Sequence, residues 1–250
     1  MINKRTLFSL SGINIKTLFA LRYFPKFVKH VIEWRIKGGR INTYFPQLSD
    51  YSDTAGTARG HYFHQDLIVA QQIYSANPKV HIDVGSRIDG FVAHVASFRT
   101  IKIIDIRPLE RSQHPNIEFL QHDLMRDTGI DPVDSVSCLH AIEHFGLGRY
   151  GDPLDINGHK KGIKNIIKLL KKNGTLYLSF PIASKSRIEF NAHRVFEPYK
   201  FLQDTELSQS FDVESFDMID DNGIVFRNHD FKNIGNVNYG CGIFTLLKKF

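Results

Sequence analysis

The chain has 250 residues, a mass of 28.7 kDa, a formal net charge of +6 and a calculated pI of about 9.2. Hydrophobic residues make up 42% and charged residues 23%, which is ordinary for a soluble globular protein. No segment reaches the roughly 18 uninterrupted apolar residues that a membrane span requires, so this composition excludes an integral helical membrane protein.

Cysteine usage and the start of the chain indicate a cytoplasmic protein. Cys138 and Cys241 lie far apart, and the first residues have neither a sustained apolar core nor a small-residue cleavage site. A reducing compartment is therefore expected. The mild basicity is not accompanied by a recognisable nucleic-acid-binding module, so no nucleic-acid partner is expected.

Residues 1–60 are predicted to form a helical extension followed by a loop, and residues 61–250 to form the main domain. The stretch 19–40, "FALRYFPKFVKHVIEWRIKGGR", mixes aromatic and basic side chains. It is read either as a solvated helix that packs its aromatic side on the domain, or as a peripheral contact with an anionic membrane. Pro25 is expected to interrupt the helical pattern.

The main domain alternates helical and strand-like patterns. Helical spacing of apolar residues predicts a helix at 65–74 and another at 159–172. Short apolar runs predict strands at 80–84, 100–106, 117–123, 134–140 and 174–180, and two alternating runs at 211–221 and 239–250 predict a terminal hairpin. Strands separated by helices indicate an α/β fold with a mostly parallel sheet and an antiparallel edge.

Ligands of such sheets bind beyond the carboxyl ends of the strands. The first strand ends in "DVGSRIDG", where Gly85 permits close backbone approach to a ligand. The second strand ends in Asp105, twenty residues later, the spacing of an acid that binds a ribose diol. The third ends in Asp123, from which a carboxylate could reach an adenine amino group.

The first loop lacks the full glycine-rich pattern of a pyrophosphate site, because Arg87 stands where the second glycine is expected. This disfavours NAD and FAD. A nucleoside without phosphates fits better, and S-adenosylmethionine is the abundant cofactor of that shape.

The ordered set "DVGS", Asp105, Asp123, "HAIEH" and "LLKKNGTLYLSFP" resembles the motifs of class I S-adenosylmethionine-dependent methyltransferases over about 65–182. The longer strings "HYFHQD", "DVGSRIDGFVAH", "IDIRP", "AIEHFGLGRYGDP" and "FNAHRVF" resemble the uncharacterised family known as domain of unknown function 268, over about 60–200. The resemblance implies a Rossmann-like sheet of seven strands and a sugar, nucleotide-sugar or surface-polysaccharide precursor as substrate.

By that resemblance, Gly85 and Ser86 would contact the methionine moiety, Asp105 the ribose and Asp123 the adenine. His64 and Gln65 would close over the methionine end. The full set of expected cofactor residues is His64, Gln65, Asp83, Gly85, Ser86, Arg87, Asp105, Ile106, Asp123, Leu124 and His140.

The loop "HAIEHFGLGRYGDP" (140–153) is expected to lie over the transferable methyl group. A histidine there can act as general base toward an acceptor hydroxyl. His144 is the first choice and His140 the second, with Glu143 orienting the base. The alternative is that each histidine is merely satisfied by backbone hydrogen bonds.

Acceptor binding is expected from the same loop and from the stretch "RIEFNAHRVF" (187–196). Arg149 offers a fork suited to a carboxylate or phosphate, or pairs with Asp152 to fix the loop. The glycines of the loop would let it bend over substrate or move as a lid. His193 competes with His144 as base, and the expected substrate residues are Arg149, Tyr150, Asp152, Asn191, His193 and Arg194.

Two other functions are compatible with these residues. "HAIEH" matches the inverted zinc-peptidase pattern, in which His140 and His144 would bind Zn²⁺ and Glu143 would activate water. The glycines that follow argue against a helix long enough to hold both ligands, and no metal is expected. A non-catalytic methyltransferase-fold protein that serves as a scaffold in glycan biosynthesis is the second alternative.

Overall fold

A computed structural model of the chain describes residues 19–110 and 114–250. The chain divides into two compact units, Met1–Thr57 and Ala58–Phe250. Within the described part, the first unit contains a 3-10 turn at Leu21–Tyr23, helix α1 at Phe24–Ile36 and a 3-10 turn at Ser49–Ser52. The second unit contains the sheet and the remaining helices.

Pro25 starts α1 rather than interrupting it, so the expectation from the sequence was wrong on this point. Pro25 lies in the first turn of the helix, where its missing N–H would have had no intrahelical partner anyway. The helix then runs without a break to Ile36, and Gly38 follows it with a positive φ of 85°.

The second unit is built on an eight-stranded sheet, whose strands are β1 His81–Val84, β2 Ile101–Asp105, β3 Ile117–Gln121, β4 Val133–Leu139, β5 Leu170–Ile182, β8 Phe211–Ile219, β9 Val225–Phe226 and β10 Gly240–Lys248. They lie in the order β3-β2-β1-β4-β5-β10-β8-β9. Strands β1 to β5 are parallel, while β10 and β8 form the antiparallel edge. The predicted α/β class and antiparallel edge are confirmed, with the two-residue β9 as an additional eighth strand.

The helices of the second unit are α2 His61–Ala76, a helical turn at Ile88–Val92 that leads into α3 Ala93–Ala96, α4 Gly158–Lys168, α5 Pro198–Asp204 and α6 Leu207–Ser210. They cover both faces of the sheet. One apolar cluster joins the strands to α4, α5 and α6, and a second joins them to α2 and α3. A separate hairpin of β6 Arg187–Glu189 and β7 His193–Val195 follows β5, where no strands were predicted.

The predicted helix 159–172 is too long at its end. Helix α4 ends at Lys168, and Leu170 already pairs with Val133 of β4 as the first residue of β5. Lys171 and Lys172 therefore belong to the strand. Within residues 19–110 and 114–250, no helix combines the length and the apolar character needed to cross a bilayer.

Candidate functional site

A cavity of about 460 Å³ opens at the carboxyl ends of β1, β2 and β4. This is the edge at which open α/β sheets bind ligands. Three groups of residues line it: the loops after the strands, one face of α2, and the 140–153 loop. Of the expected site residues, the lining includes Gln65, Gly85, Ser86, Arg87, Asp105, Ile106, Asp123, Leu124, His140, His144, Arg149, Tyr150 and Asp152.

Asp83 shapes the loop after β1 without lining the cavity. Its buried carboxylate accepts hydrogen bonds from the Ser86 amide (3.0 Å), the Ser86 hydroxyl (2.9 Å) and the Ser137 hydroxyl (2.5 Å). Burial raises the pKa of Asp83 to about 6, although these hydrogen bonds act in the opposite direction. The carboxylate therefore ties the β1 loop to β4.

Gly85 is required where the β1 loop approaches the 140–153 loop. Its φ is +75°, and a Cβ at this position would lie 2.9 Å from the Cβ of Ala141. A side chain would be strained by the backbone and would collide with its neighbour. The two loops can therefore approach closely at the floor of the cavity only with glycine at this position.

Asp105 lines the cavity with its acceptor oxygens engaged by Arg107, a contact that was not predicted. The Arg107 guanidinium donates to both carboxylate oxygens at 2.5–3.2 Å and to the Gly85 carbonyl at 3.3 Å. It also stacks on the Tyr150 ring at 4.7 Å. The available signal was the position of the arginine two residues after the strand-end acid in "IDIRP".

The end of β3 supplies the opposite wall. Asp123 lines the cavity while one carboxylate oxygen accepts a hydrogen bond from the Met125 amide at 2.9 Å. The neighbouring His122, which was not predicted, also lines the cavity, and its Nε2 is buried without a hydrogen-bond partner. This wall therefore offers a carboxylate to a ligand, beside a histidine whose Nε2 is buried.

One face of α2 closes the cavity from the side. Tyr62, Gln65 and Asp66 line it, because residues three and four apart share a helix face. Burial raises the pKa of Asp66, even though its carboxylate accepts a hydrogen bond from Gln65 at 3.0 Å. His64 does not line the cavity. Tyr62 and Asp66 were missed, although their spacing from Gln65 could have indicated them.

His140 is the centre of a buried network at the end of β4. Its Nδ1 lies 3.1 Å from Glu143 Oε1, and its Nε2 lies 3.3 Å from Cys241 Sγ, on β10. Burial alone would lower the pKa of His140, but Cys241 and Glu143 together raise it well above the ordinary value. His61 stacks on the ring with centroids 5.8 Å apart. The two partners therefore favour the protonated form of His140.

His144 has the opposite electrostatic character. Its Nδ1 donates to the Ala192 carbonyl at 2.7 Å, so Nε2 carries the lone pair of the neutral ring. Burial lowers its pKa, partly offset by Glu143, whose Oε1 is 3.6 Å from Nε2. The lining of the cavity therefore includes a neutral imidazole whose protonated form would have a carboxylate beside it.

Asp152 holds the 140–153 loop in shape. Its carboxylate accepts hydrogen bonds from the amides of Gly146 (2.8 Å), Gly148 (3.2 Å) and Tyr150 (3.2 Å). Buried Arg194 fixes the start of the same loop by donating to the carbonyls of Glu143 and Phe145. The geometry thus gives both residues a structural task, and Arg194 does not line the cavity.

Arg149 and Tyr150 lie at the mouth of the cavity. Arg149 donates to the Ala192 carbonyl at 2.8 Å, and its guanidinium lies 5.1 Å from the centre of the Tyr150 ring. Arg149 forms no ion pair with any acidic residue in the described ranges. It is therefore a cation at the mouth without a carboxylate partner in the described structure.

The remaining predicted residues lie outside the lining. Glu143 is buried behind the two histidines, Asn191 is exposed, and His193 lies 3.3 Å from Glu189 of its own hairpin. His193 nevertheless lies close to the site, with its ring centroid 6.3 Å from that of His144.

The zinc-hydrolase hypothesis finds no support in the arrangement of "HAIEH". His140 and His144 direct ring nitrogens to Cys241 and to the Ala192 carbonyl, and only a 3-10 turn at Ile142–His144 separates them. Among residues 19–110 and 114–250, no group of three or more His, Cys, Asp or Glu side chains is placed to hold a metal ion.

Comparison with solved structures identifies the architecture. A Burkholderia thailandensis 1,6-didemethyltoxoflavin-N1-methyltransferase, solved with its substrate and S-adenosylhomocysteine, matches 95% of this chain and 91% of its own, with a TM-score of 0.54 and 12% identity. The chain has the class I methyltransferase fold. A Clostridium acetobutylicum S-adenosylmethionine-dependent methyltransferase matches 77% of this chain and 94% of its own, with a TM-score of 0.50 and 10% identity.

The same methyltransferase fold also occurs in a protein with a different activity. The [4+2]-cyclase SpnF matches 94% of this chain and 96% of its own, with a TM-score of 0.51 and 11% identity. At such identities the likeness establishes the fold alone.

Residues 117–232 match the family model described as "Caenorhabditis protein of unknown function, DUF268", which confirms the second resemblance over this part of the chain. The comparison with curated proteins found no match.

Proposed function

We propose that the chain is an S-adenosylmethionine-dependent methyltransferase that methylates a hydroxyl of a sugar, a nucleotide sugar or a surface-polysaccharide precursor. The observation that carries the proposal is that one cavity joins two strand-end carboxylates, Asp105 and Asp123, to the neutral imidazole of His144. The first two residues suit a nucleoside, and the third suits the deprotonation of an acceptor.

The residues present fit this cofactor. Asp105 would accept from the ribose hydroxyls once Arg107 shares or yields its bonds, and Asp123 with His122 would face the adenine. The Gly85 backbone lines the cavity and would lie against the methionine end. When bound, S-adenosylmethionine supplies an electrophilic methyl group on a sulfonium.

The chain's own residues would prepare the acceptor. His144 Nε2 would take the proton of the acceptor hydroxyl as its oxygen receives the methyl group, and the cofactor would leave as S-adenosylhomocysteine. Glu143 stabilises the imidazolium that results, because its carboxylate is already 3.6 Å from Nε2. His140, whose protonated form Glu143 and Cys241 favour, keeps Glu143 in place rather than acting as base.

The acceptor is proposed to carry an anionic group. Arg149 lies at the mouth of the cavity without a carboxylate partner among the described residues, and its planar fork suits a phosphate or a carboxylate. A nucleotide sugar or an acidic sugar has this charge. Both cysteines are free thiols, which suits the proposed reducing, cytoplasmic setting.

Isothermal titration with S-adenosylmethionine and S-adenosylhomocysteine tests the cofactor, with NAD⁺ and Zn²⁺ as control ligands. We expect micromolar binding of the first two and a loss of about tenfold to hundredfold in Asp105→Asn, because a charged acceptor of the ribose hydroxyls is removed. Asp127→Asn is the matched control, since Asp127 pairs with Lys168 on the surface outside the cavity. Equal affinities in all three proteins would contradict the proposed site.

The acceptor is tested by incubating the protein with nucleotide sugars and S-adenosylmethionine and measuring release of S-adenosylhomocysteine. Turnover of a phosphate-bearing sugar that falls in Arg149→Gln through a higher KM would support the anionic acceptor. Turnover that is unchanged in this variant would reject Arg149 as the residue that binds it.

A non-catalytic protein of the same fold is the second candidate, and one observation favours it. Arg107 occupies both oxygens of Asp105, the residue that the ribose would need. If the wild type binds no S-adenosylmethionine while Arg107→Ala does, Arg107 closes the site and the scaffold function is favoured. Methyl transfer by the wild type would reject this alternative.

A further inference from the structure

Helix α1 combines an exposed apolar stripe with a strong positive charge. Phe24, Val28, Ile32 and Ile36 follow one another at four-residue intervals and therefore lie along one side of the helix. Each of them is exposed, Ile36 to 79%. No residue of α1 is buried against the rest of the first unit, as far as residues 19–57 describe it.

Further aromatic residues of the first unit are exposed, although Trp34, two positions from both Ile32 and Ile36, points to the opposite side of α1 from the stripe. Trp34 is 56% exposed, and its indole nitrogen donates to the Arg40 carbonyl at 3.2 Å, which fixes the ring beside the end of the helix. Phe45 is 80% and Tyr44 50% exposed. Indole and phenol rings suit a boundary between water and an apolar phase, because each has an apolar body and a polar tip.

The charge of the segment indicates what covers this surface. Residues 19–40 contain six basic side chains and one acidic side chain, Glu33, which pairs with Lys29 at 3.7 Å. The formal charge is therefore +5 over 22 residues. An apolar stripe flanked by so many cations is complementary to an anionic lipid surface, where the stripe enters the headgroup region and the cations meet phosphates. The basic residues are Arg22, Lys26, Lys29, Arg35, Lys37 and Arg40.

From these observations we infer that α1 is a peripheral membrane-binding helix that lies in the interface of an anionic bilayer. Lipid covers the apolar stripe, and the basic residues bind negatively charged headgroups. The inference does not depend on the proposed methyl transfer, because it uses residues of the first unit alone.

Vesicle binding tests the inference directly. The full-length protein is mixed with vesicles of equal parts phosphatidylcholine and phosphatidylglycerol, or of phosphatidylcholine alone. We expect cosedimentation with the first vesicles, and a marked loss of it with the second and at high salt.

Paired variants separate the apolar and the charge contributions. Ile36→Asn is expected to weaken binding about tenfold, since a large exposed side chain no longer enters the lipid. Ile156→Asn, at an equally exposed isoleucine of the second unit, is the control and should have no effect. Lys37→Gln is expected to weaken binding about fivefold, while Lys200→Gln, on the exposed side of α5, should not.

Three outcomes would overturn the inference. The first is absence of binding to the anionic vesicles, and the second is equal binding to both kinds of vesicle without any effect of Ile36→Asn. The third is a dimer seen by light scattering that Ile36→Asn dissociates while the protein does not cosediment with the anionic vesicles. That result would mean that a second copy of the chain covers the stripe.

Discussion

His140 and His144 lie four positions apart with Glu143 between them, and their pKa values are shifted in opposite directions. His140 touches the carboxylate and the Cys241 thiol, and its pKa is raised. Burial dominates at His144, and its pKa is lowered. A general base must be neutral before it takes a proton, whereas a histidine that holds Glu143 by its charge must be protonated. The surroundings of the two rings therefore suit His144 to the first task and His140 to the second.

His144→Gln is expected to lower kcat for methyl transfer by about 10²–10⁴-fold, because the amide cannot take the acceptor proton. Affinity for S-adenosylmethionine should stay within a few-fold of wild type. The measurement is release of S-adenosylhomocysteine with an acceptor that the wild type methylates, and His94→Gln, on the exposed side of α3, is the control.

The pH profile adds a second readout for the same residue. Burial lowers the pKa of His144, so its neutral, active form persists below the ordinary histidine pKa of about 6.5. Activity should therefore fall as pH drops through a value below 6.5. This acidic limb should be absent from the residual activity of His144→Gln, and an unchanged limb would assign the proton to another group.

At the scale of elements, the 140–153 loop is a braced structure rather than a free lid. The Asp152 carboxylate accepts hydrogen bonds from three backbone amides of the loop, and the Gly146 carbonyl accepts one from the Asp155 amide at 3.0 Å. Arg194, on β7, binds two carbonyls at the start of the loop. The glycines of this loop were expected to let it bend over substrate or move as a lid. In the structure they form turns of a backbone that is fixed by these hydrogen bonds.

Two glycines of this loop provide a matched comparison. Gly146 has φ of +78°, and a Cβ there would lie 2.1 Å from the Asp155 carbonyl oxygen. Gly151 has φ of +81°, but nothing lies within 4 Å of its Cβ position. We expect Gly151→Ala to cost about 1 kcal/mol of unfolding free energy and Gly146→Ala about 3 kcal/mol or more.

Urea unfolding of both variants measures the difference. The excess cost of Gly146→Ala reports the collision, because the backbone strain is common to the two substitutions. Equal costs would show that the loop can open at Gly146 and would return the lid hypothesis to consideration.

At the scale of the whole molecule, buried His81 and half-buried His61 and His159 couple the stability of the fold to pH. Burial lowers the pKa of His61 and His159 to about 4 and of His81 to about 3. Unfolding frees them to titrate near 6.5, so below that pH the unfolded chain binds more protons than the folded one, and stability falls. Asp83, with a pKa raised to about 6, acts in the opposite direction between pH 4 and 6.

His159→Phe isolates one of these contributions. His159 packs against Phe196 and Phe201, and its Nδ1 is buried without a hydrogen-bond partner, so an aromatic replacement suits the site. Between pH 7 and pH 5.5 we expect the variant to lose about 1 kcal/mol less unfolding free energy than the wild type. Parallel stability curves for the two proteins would refute this role of His159.

The sequence predicted the parallel sheet because each buried strand is an apolar run of its own, and it predicted the strand-end residues because their position follows from the sheet. It could not predict that His140 contacts Cys241, because Cys241 lies 101 residues away in the chain, on β10. Arg107 was missed for another reason. Its bonds to Asp105 are local in the chain, but its contact with the Tyr150 ring forms only when the chain is folded.

The burial of both cysteines has a practical consequence. The sequence contains two cysteines, Cys138 and Cys241, and both are enclosed in the second unit. In the folded protein neither thiol faces a reagent in solution. Ile156→Cys, at a side chain that is 87% exposed beside the 140–153 loop, would thus accept a maleimide dye without removal of a native cysteine. Such a label would turn movement of this loop into an optical signal.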